Sequence, residues 1–501
     1  MAMCLGFAFR VTRATVHDFR VNPKAGDGVP HYDGSISFTG EGDFIIAWID
    51  RGVDHTNRQI YFQRFSASAD LKGDPVLVSD TAVHLNNSLD IAVGASGKFV
   101  ICWSTTTKIG QQRKRDIWVQ GFDPQGRPLW PRQQVDLDRA GTDYSDTHPS
   151  IAMDEKGDFL VVWQTSDSGG RNVYAQLFKI SGERIGGNFL VSDLKASNHR
   201  LCNWFTQFPD VAINSKGYFF ICWQGCVQCR PASPDIPLAR VYHPSGDPVT
   251  SVFPFFAPCS SKWTCGNFPS VAPTSQNTFV VAFNATDTIP TYPNNAVVVQ
   301  TFDTLGNALG SARIVSDTPD LGEVWFCPRV AVDTEDGCVV LWSDRRTVTS
   351  RNLWAQRFNS VGEPVGKNYR INIPPGSLVT PDDRYGDWSM HQIAIWNNTV
   401  GISWVDYREW EVYDADIYAK LLDLDAIGHY LSGDVVLDGV VDTADVIYLA
   451  SYILMDGYGL LPEWTGDVDA GDEVNLSDVV YLVNYLFKGG PPPQKPVTGG
   501  E

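Results

Sequence analysis

The chain has 501 residues, of which 43% are hydrophobic and 19% charged, enough for one large array of repeats together with a small second domain. Its formal net charge of −19 argues against nucleic acid as a partner, because an acidic surface repels phosphate groups. No apolar run is long enough to span a membrane. Residues 1–15 contain no evident signal peptide, and this N-terminal segment is expected to be disordered or the remnant of a signal sequence.

A large aromatic residue closes a short apolar run at a nearly constant interval along most of the chain. Successive members are 55 to 62 residues apart, and they are Trp48, Trp103, Trp163, Trp223, Phe283, Trp342 and Trp404. A fixed period of this size is typical of repeated supersecondary units. The seven positions predict seven units.

The third unit shows what each repeat contains. Between His148 and Asp193, four β-rich runs alternate with turns rich in Gly, Asn, Asp and Ser, without helical periodicity. Four antiparallel strands repeated around an axis form the blades of a β-propeller. The sequence therefore predicts an all-β, seven-bladed propeller over residues 16–425. The last unit has only three strands of its own, and the N-terminal run 16–22 is expected to complete it and to cover its open edge.

One polar residue recurs in the third strand of the units. It is glutamine in five of them and a basic residue in the other two: Gln63, Gln120, Gln176, Arg240, Gln300, Gln356 and Lys420. A residue type that most units share is better explained by a hydrogen bond that each unit needs than by a functional site.

The repeats resemble those of large secreted bacterial proteins with the pattern G-D-F-V-V-x-W followed by D-I-Y-A-Q-R-F-D-x-x-G. The matching segments here include Gly42-Asp-Phe-Ile-Ile-Ala-Trp48 and Leu353-Trp-Ala-Gln-Arg-Phe358. The resemblance implies the propeller fold, and those arrays share no common catalytic residues.

Residues 426–493 have a different character. Two acidic loops, offset by 33 residues and beginning at Asp434 and Asp467, each lead into an apolar run with helical spacing. Asp-rich loops before a helix follow the pattern of calcium sites, because Ca²⁺ requires six to eight oxygen ligands. The sequence predicts a small all-α calcium-binding domain and a disordered tail at 494–501.

The duplication, its offset and an aspartate at the last position of each loop resemble a type I dockerin. The resemblance implies calcium ligands in the first loop at Asp434, Asp438, the Val440 carbonyl, Asp442 and Asp445. In the second loop it implies Asp467, Asp469, the Glu473 carbonyl, Asn475 and Asp478. It also implies docking to a cohesin-like module on a scaffold or cell-surface protein, through Thr443, Ala444, Leu476 and Ser477.

The loops depart from the family pattern at three positions. Val436 replaces an oxygen ligand in the first loop, and Gly471 removes one from the second. Asp472 stands where a positive φ is usual, a conformation that Asp tolerates better than most residues. The alternative is a helix pair that binds no calcium.

Nine of the ten cysteines fall into two groups. Cys102, Cys222 and Cys338 lie in apolar second strands and are predicted to be buried thiols. The other six are disulfide candidates in loops on one face, and they are Cys202, Cys226, Cys229, Cys259, Cys265 and Cys327. Their pairing is open, and an iron–sulfur or zinc site at 222–229 is the alternative. Disulfides and a dockerin-like domain both indicate an extracellular or cell-surface location.

Carboxylates and arginines on the loops of three neighbouring units are candidates for catalysis. Asp50, Asp344 and Asp406 stand two residues after the recurring aromatic position, and the remaining candidates are Asp383, Arg345 and Arg408. Paired carboxylates could cleave a glycoside. The alternative is that each Trp-x-Asp-x-Arg set only orders its own loop.

Four tryptophans on the same face could stack on sugar rings or contact a protein: Trp204, Trp263, Trp325 and Trp388. The main hypothesis is a secreted, non-catalytic protein whose propeller binds a glycan or a protein and whose dockerin-like domain docks it with calcium. The alternatives are an extracellular glycoside hydrolase or polysaccharide lyase, and a structural component of a cell-surface assembly.

Overall fold

The computed structural model describes residues 16–22, 31–50, 58–83, 88–109, 112–137, 145–167, 170–193, 201–227, 235–255, 263–287, 295–316, 327–347, 350–372, 391–407, 415–436, 441–454, 465–471 and 473–494. Within these ranges the chain forms twenty-eight β-strands and two α-helices. None of the described helices is long and apolar enough to cross a membrane.

Five sheets contain four strands each, with neighbouring strands antiparallel. One consists of β2 (His31–Phe38), β3 (Phe44–Asp50), β4 (Arg58–Phe65) and β5 (Val76–Val83). A second consists of β14 (Leu201–Ile213), β15 (Phe219–Val227), β16 (Asp235–Tyr242) and β17 (Phe253–Pro254). A third consists of β18 (Trp263–Pro273), β19 (Phe279–Asp287), β20 (Asn295–Phe302) and β21 (Ala308–Ile314), and a fourth of β22 (Arg329–Val332), β23 (Cys338–Thr347), β24 (Ser350–Phe358) and β25 (Pro364–Arg370).

One further sheet has eight strands. It contains β6 (Leu89–Val93), β7 (Phe99–Ile109), β8 (Gln112–Phe122) and β9 (Gln133–Gln134), followed by β10 (Ser145–Met153), β11 (Phe159–Asp167), β12 (Gly170–Phe178) and β13 (Arg184–Leu190). The two groups of four are antiparallel within themselves. A single parallel pair, Ser145 opposite Arg115, joins them.

The fifth four-stranded sheet joins the two ends of the repeat array, in the order β1 (Val16–Arg20), β28 (Asp416–Asp423), β27 (Thr399–Asp406) and β26 (His391–Trp396). As predicted, the N-terminal strand β1 pairs with β28, with Phe19 opposite Ala419. The first strands contact one another in the order β2, β6, β10, β14, β18, β22 and β26, and β26 contacts β2. The sheets are therefore arranged around an axis as a β-propeller.

The recurring aromatic residues fill the space between neighbouring sheets. Trp163 packs in an apolar cluster with Phe159 and Phe178 of its own sheet and with Cys102 and Val119 of the preceding group. The six tryptophans at this position are each 1% exposed or less. A buried aromatic side chain removes a large apolar area from water, which explains why every unit keeps one.

The first strands share a bulge that turns one residue toward the axis. Register shifts precede Ser35, Ser150, Asp210 and Ser270, two residues after a residue with positive φ. The positive-φ residues are Asp33, His148, Phe208 and Phe268, with φ between 50° and 54°. Asp and His adopt a positive φ more readily than Phe does, so residue type does not explain why all four positions have it. The geometry of the sheet imposes this conformation.

The recurring glutamine has the structural role that the sequence predicts. Gln176 Nε2 donates to the carbonyls of Leu177, Ile185 and Gly186 at 2.8, 3.2 and 3.2 Å. Gln300 and Gln356 make the same three bonds in their own sheets. The amide thereby satisfies carbonyls at the bulge of the fourth strand, where the register shifts and strand pairing is interrupted.

The C-terminal segment contains α1 (Thr443–Leu454) and α2 (Leu476–Lys488), which pack around Val435, Leu449, Val468 and Leu482. α2 begins with a capping box. The Asn475 side chain accepts from the backbone N–H of Asp478, and the Asp478 side chain accepts from the backbone N–H of Asn475. The preceding segment rests on the propeller, because the Tyr430 hydroxyl donates to the Asn368 carbonyl at 2.7 Å. Gln494 donates to the Val468 carbonyl, so this residue belongs to the folded module and not to the predicted tail.

Candidate functional site

The loop face is the end of the propeller at which second strands join third strands. Two of the predicted catalytic aspartates there are hydrogen-bonded within their own strands. Asp344 accepts from Trp342 Nε1 at 2.9 Å, and Asp406 accepts from Trp404 Nε1 at 2.8 Å. Both carboxylates are buried. A buried indole N–H needs an acceptor, so this geometry favours the structural alternative for both aspartates.

Asp50 belongs to a cluster that joins the first and last sheets. Its Oδ2 is 3.8 Å from His31 Nε2, and His31 Nδ1 is 3.5 Å from Asp416 Oδ1. Asn22 donates to the same Asp416 oxygen and accepts from the Ile417 N–H. Burial alone would raise the pKa of Asp416, but the bonds from His31 and Asn22 hold it below its usual value. The cluster fastens the N-terminal segment to the ring.

A row of carboxamides lies directly after the recurring aromatic position in three successive units. Gln164, Gln224 and Asn284 are all buried at the loop ends of β11, β15 and β19. Among the described residues, neither amide atom of Asn284 has a hydrogen-bond partner, and Gln164 Oε1 also lacks one. Buried polar atoms are normally satisfied, so these amides are suited to bind a group that supplies both donors and acceptors. None of the three was predicted from the sequence as a functional residue.

An aromatic row lies at the bulges of the same three units. The His148 and Phe208 rings are 4.8 Å apart, and so are those of Phe208 and Phe268. Burial lowers the pKa of His148 to about 4, and the charges of Arg115 and Arg171 add to this effect. His148 is therefore neutral at physiological pH and acts as part of an apolar surface around the axis.

Carboxylates and serines alternate around the axis itself. Ser35 donates to Asp90 at 3.0 Å, and Ser150 lies 3.1 Å from Asp90 and 2.9 Å from Asp210. A hydroxyl has one proton, so Ser150 bridges the two carboxylates best when one of them is protonated. Burial, reinforced by the charge of Asp210, raises the pKa of Asp90 to about 6. Burial likewise raises the pKa of Asp33 to about 7.

The structure describes only some of the remaining residues that were predicted on the loop face. Trp204 lies in β14 and Trp263 in β18 rather than in loops, and their side chains are not described. The side chain of Arg345 is not described either. Trp325, Trp388, Asp383 and Arg408 lie outside the described residues.

Three cysteines are the buried thiols that the sequence predicts: Cys102, Cys222 and Cys338. Cys327 is also a buried thiol, which corrects its place among the disulfide candidates. The reason is its position two residues before β22, where it is 7% exposed and has a positive φ of 35°, as the residues two positions before Ser35, Ser150, Asp210 and Ser270 also have a positive φ.

Three other disulfide candidates lie in strands, because the strands extend beyond their apolar runs. Cys202 lies in β14 directly opposite Cys226 in β15, and Cys265 lies in β18. These positions correct their assignment to loops. Cys229 and Cys259 lie outside the described residues.

The second acidic loop brings three carboxylates together. Oxygens of Asp467, Asp469 and Asp478 lie within 4.8 Å of one another. Asp469 Oδ1 is buried and has no hydrogen-bond partner in the described part of the chain. A Cβ at Gly471 would lie 2.7 Å from this oxygen, so the missing side chain leaves the carboxylate its space. Oxygen ligands in this arrangement fit Ca²⁺.

Both acidic loops have the same internal hydrogen bonds. Asp445 Oδ1 accepts from Val435 N and Val436 N, and Oδ2 accepts from Asp442 N. Asp478 repeats this pattern with the residues 33 positions later, 468, 469 and 475. Burial has the largest effect on the pKa of Asp478 and raises it, and the charge of Asp469 raises it further. The three bonds from backbone N–H groups lower this pKa but do not cancel the increase. The duplication seen in the sequence is thus also present in the structure.

The other predicted ligands are described only in part. Asp434 is buried at the start of the first loop. Asp438, Val440 and Asp472 lie outside the described residues, and Ala470 has the positive φ, 59°, in the second loop. The four predicted cohesin contacts are the first two residues of each helix, and Thr443, Leu476 and Ser477 are exposed while Ala444 is half-buried.

Comparisons with known proteins yield structural neighbours only. No family model matches the chain, and no curated protein matches it. The polysaccharide lyase Uly1 is 10% identical with a TM-score of 0.50, covering 82% of this chain and all of its own. A protein of unknown function from Dyadobacter fermentans is 10% identical, with a TM-score of 0.46, over 81% of this chain and 98% of its own.

The α-L-arabinofuranosidase Arb93A from Fusarium graminearum is 12% identical, with a TM-score of 0.45, over 69% of this chain and 98% of its own. At these identities the likeness concerns the fold. The likeness to Uly1, with its TM-score of 0.50, supports the propeller arrangement found in the sheets.

Proposed function

We propose that the propeller is a carbohydrate-active enzyme whose loop face holds a polysaccharide. The observation that carries this proposal is the buried amide of Asn284, whose two polar atoms have no partner among the residues that the structure describes, together with Gln164 two units away. Sugar hydroxyls donate and accept, which is what an amide needs. The rings of Phe208 and Phe268 supply a surface on which the C–H face of a sugar can pack.

The fold favours cleavage over simple binding. The neighbour with the highest TM-score reported above is a polysaccharide lyase, and another is an arabinofuranosidase. Hydrolysis and β-elimination both need a group that moves a proton and a group that stabilises developing charge. Asp383, Arg345 and Arg408 remain the candidates for these roles. Asp344 and Asp406 are poorer candidates because they are buried against indoles.

That last observation also favours a second candidate function, non-catalytic glycan binding. Incubation of the full chain with arabinan, xylan and polygalacturonate separates the two. Hydrolysis releases reducing ends, β-elimination also gives unsaturated uronates that absorb in the ultraviolet, and a binding protein retards the polysaccharide in affinity electrophoresis without shortening it. Absence of both cleavage and binding for all three polymers would refute a carbohydrate function.

We also infer that the propeller has seven blades. Support comes from the first strands, which contact one another in a closed series that includes both four-strand groups of the eight-stranded sheet. Because one parallel residue pair joins these groups, each is counted as a blade. An experimental electron-density map that shows a different number of sheets around the axis would overturn this count.

For the C-terminal module we propose calcium binding in a dockerin-like fold. In the second loop, Asp467, Asp469, Asn475 and Asp478 would hold the ion with the Glu473 carbonyl. In the first, the ligands would be Asp434, Asp438, Asp442, Asp445 and the Val440 carbonyl. A calcium ion held by these residues would neutralise buried carboxylates and order the two loops.

A matched pair of variants tests the second site. Asp469→Asn replaces one carboxylate oxygen at a position where Oδ1 has no hydrogen-bond partner in the described part of the chain. Calcium affinity, measured by isothermal titration calorimetry, should therefore fall at least tenfold. Glu473→Gln removes the same charge but leaves its carbonyl in place, and should bind calcium nearly as the parent does. Equal affinities for the two variants would place the ion elsewhere.

The proposed partner of this module is a cohesin-like domain, which implies an extracellular or cell-surface location. Support comes from exposed apolar side chains on α2, where Leu476, Val480 and Phe487 are 51%, 53% and 63% exposed. Exposed apolar side chains on one short helix are typical of a docking surface. Leu476→Asp should abolish calcium-dependent pull-down by a type I cohesin while leaving the helix content unchanged.

A further inference from the structure

The fourth unit departs from the repeat at two positions of its third strand. Where the other units carry glutamine or lysine, it has Arg240, and where they carry phenylalanine or leucine, it has Tyr242. Repeats keep the residues that the fold needs, so a departure that leaves a polar atom unsatisfied points to a local function.

Both departures line the same groove at the rim, between β12–β13 and the third strand β16. The residues that line it include Leu177, Ile185, Gly186, Gly187, Phe189 and Pro248. The cavity is about 370 Å³, within the range of small-ligand sites. This groove is formed by the outer strands and is separate from the loop ends that carry the amides.

The polar end of the groove offers donors and an acceptor. The Tyr242 side chain is 2% exposed, and its hydroxyl has no hydrogen-bond partner in the described part of the chain. Burial raises the pKa of this phenol to about 12, so it keeps its proton at physiological pH. Arg240 lies 5.3 Å from the Tyr242 ring centre, and its guanidinium donates to the carbonyls of Thr250 and Val191.

The carboxylate of Asp193 also lines the groove. The charges of Arg240 and Asp193 oppose one another, which disfavours an anion as the occupant. A neutral polyol fits better, because one hydroxyl can accept from Tyr242 or Arg240 while its neighbour donates to Asp193. The ring centre of Phe189 is 5.4 Å from that of Tyr242. Phe189 lines the groove together with other apolar side chains, and a sugar ring can lie on this surface.

We propose that this rim groove is a binding site for a neutral pyranose sugar, distinct from the loop face. It gives the protein a second point of contact with a polysaccharide. Two weak sites on one chain raise the effective affinity for a long polymer without any new contact at either site.

Ligand-observed saturation-transfer NMR on the full chain tests the groove, with the methyl pyranosides of glucose, galactose, mannose and xylose as probes. At least one should bind, and galacturonate should bind more weakly than methyl galactoside. Tyr242→Phe restores the residue of other units, removes the unpartnered hydroxyl and should weaken the bound methyl pyranoside about tenfold without lowering Tm.

Ile185→Asp places a charge on the groove wall and should abolish the signal. Leu309→Asp is its control, because Leu309 occupies the equivalent position two units later and is 44% exposed against 36% for Ile185. The control should bind as the parent does. The proposal is overturned if no pyranoside binds, if galacturonate binds more tightly, or if binding is unchanged in both Tyr242→Phe and Ile185→Asp, which would locate it elsewhere.

Discussion

Gln176 shows how much one recurring side chain can contribute to each unit. Its fully buried amide donates to three carbonyls, whereas Gln120 makes a single contact of 3.5 Å with the Trp130 carbonyl. Gln176→Ala leaves buried carbonyls unsatisfied and should cost about 2–3 kcal/mol of unfolding free energy. Gln120→Ala should cost about 1 kcal/mol or less. Denaturant titration compares them, and equal losses would contradict the structural role.

Asp33 makes the propeller sensitive to pH. Its pKa is raised from 3.8 to about 7, chiefly by burial, so ionisation in the folded state is unfavourable. Its contribution to stability is complete below pH 4 and is lost as the pH rises through 7. Asp33→Asn keeps the acceptor for the Leu89 N–H and tolerates the positive φ.

The variant should therefore be about 2–4 kcal/mol more stable than the parent above pH 8, and nearly equal to it at pH 4. Thermal unfolding at both values measures this difference. If the difference in stability between the variant and the parent is as large at pH 4 as above pH 8, Asp33 does not titrate in this range.

Individual residues differ in how well the sequence predicts them. The third-strand glutamines and the buried thiols were predictable because repetition and apolar neighbours report directly on their surroundings. The amides of Gln164 and Asn284 were missed because Ile49, Ser104 and Val405 occupy the same position elsewhere. Among the described residues, the two side chains were recognisable only in the structure, by the burial of their amides and the absence of hydrogen-bond partners for Asn284 and for Gln164 Oε1.

Among the elements, the N-terminal strand β1 has the clearest task. It covers the edge of β28, and Asn22 behind it bonds to Asp416 and Ile417. Removal of residues 1–22 should expose this edge and cause oligomers or aggregates. Removal of residues 1–15 leaves β1 in place and should give the same species as the parent in light scattering after gel filtration. If both truncations behave like the parent, β1 is not needed for closure.

Strand lengths were harder to predict than strand order. β14 runs from Leu201 to Ile213, although its apolar core is short, and it carries Cys202 and Trp204 into the sheet. The order of the strands followed from the repeat. The residues at which a strand begins and ends depend on its pairing with the next strand, such as the pairing of Cys202 with Cys226. Such pairing is a tertiary contact that local composition does not report.

At the scale of the molecule, a ring of sheets is followed by a small module with two acidic loops. The ring was predictable because its period is long and regular, and the module because its loops are duplicated. The proposed saccharide site was not predictable, because its residues come from successive units and meet only in the folded ring.

The most direct test of the loop-face site is Asn284→Val, measured for both stability and affinity. Valine and isoleucine already occupy this position at Val405 and Ile49, so the fold should accept the change, and loss of a buried unpartnered amide should leave Tm equal or higher. Affinity for whichever of arabinan, xylan or polygalacturonate the parent binds should fall at least tenfold. Unchanged affinity, or a lower Tm, would contradict the assignment of this amide to a saccharide.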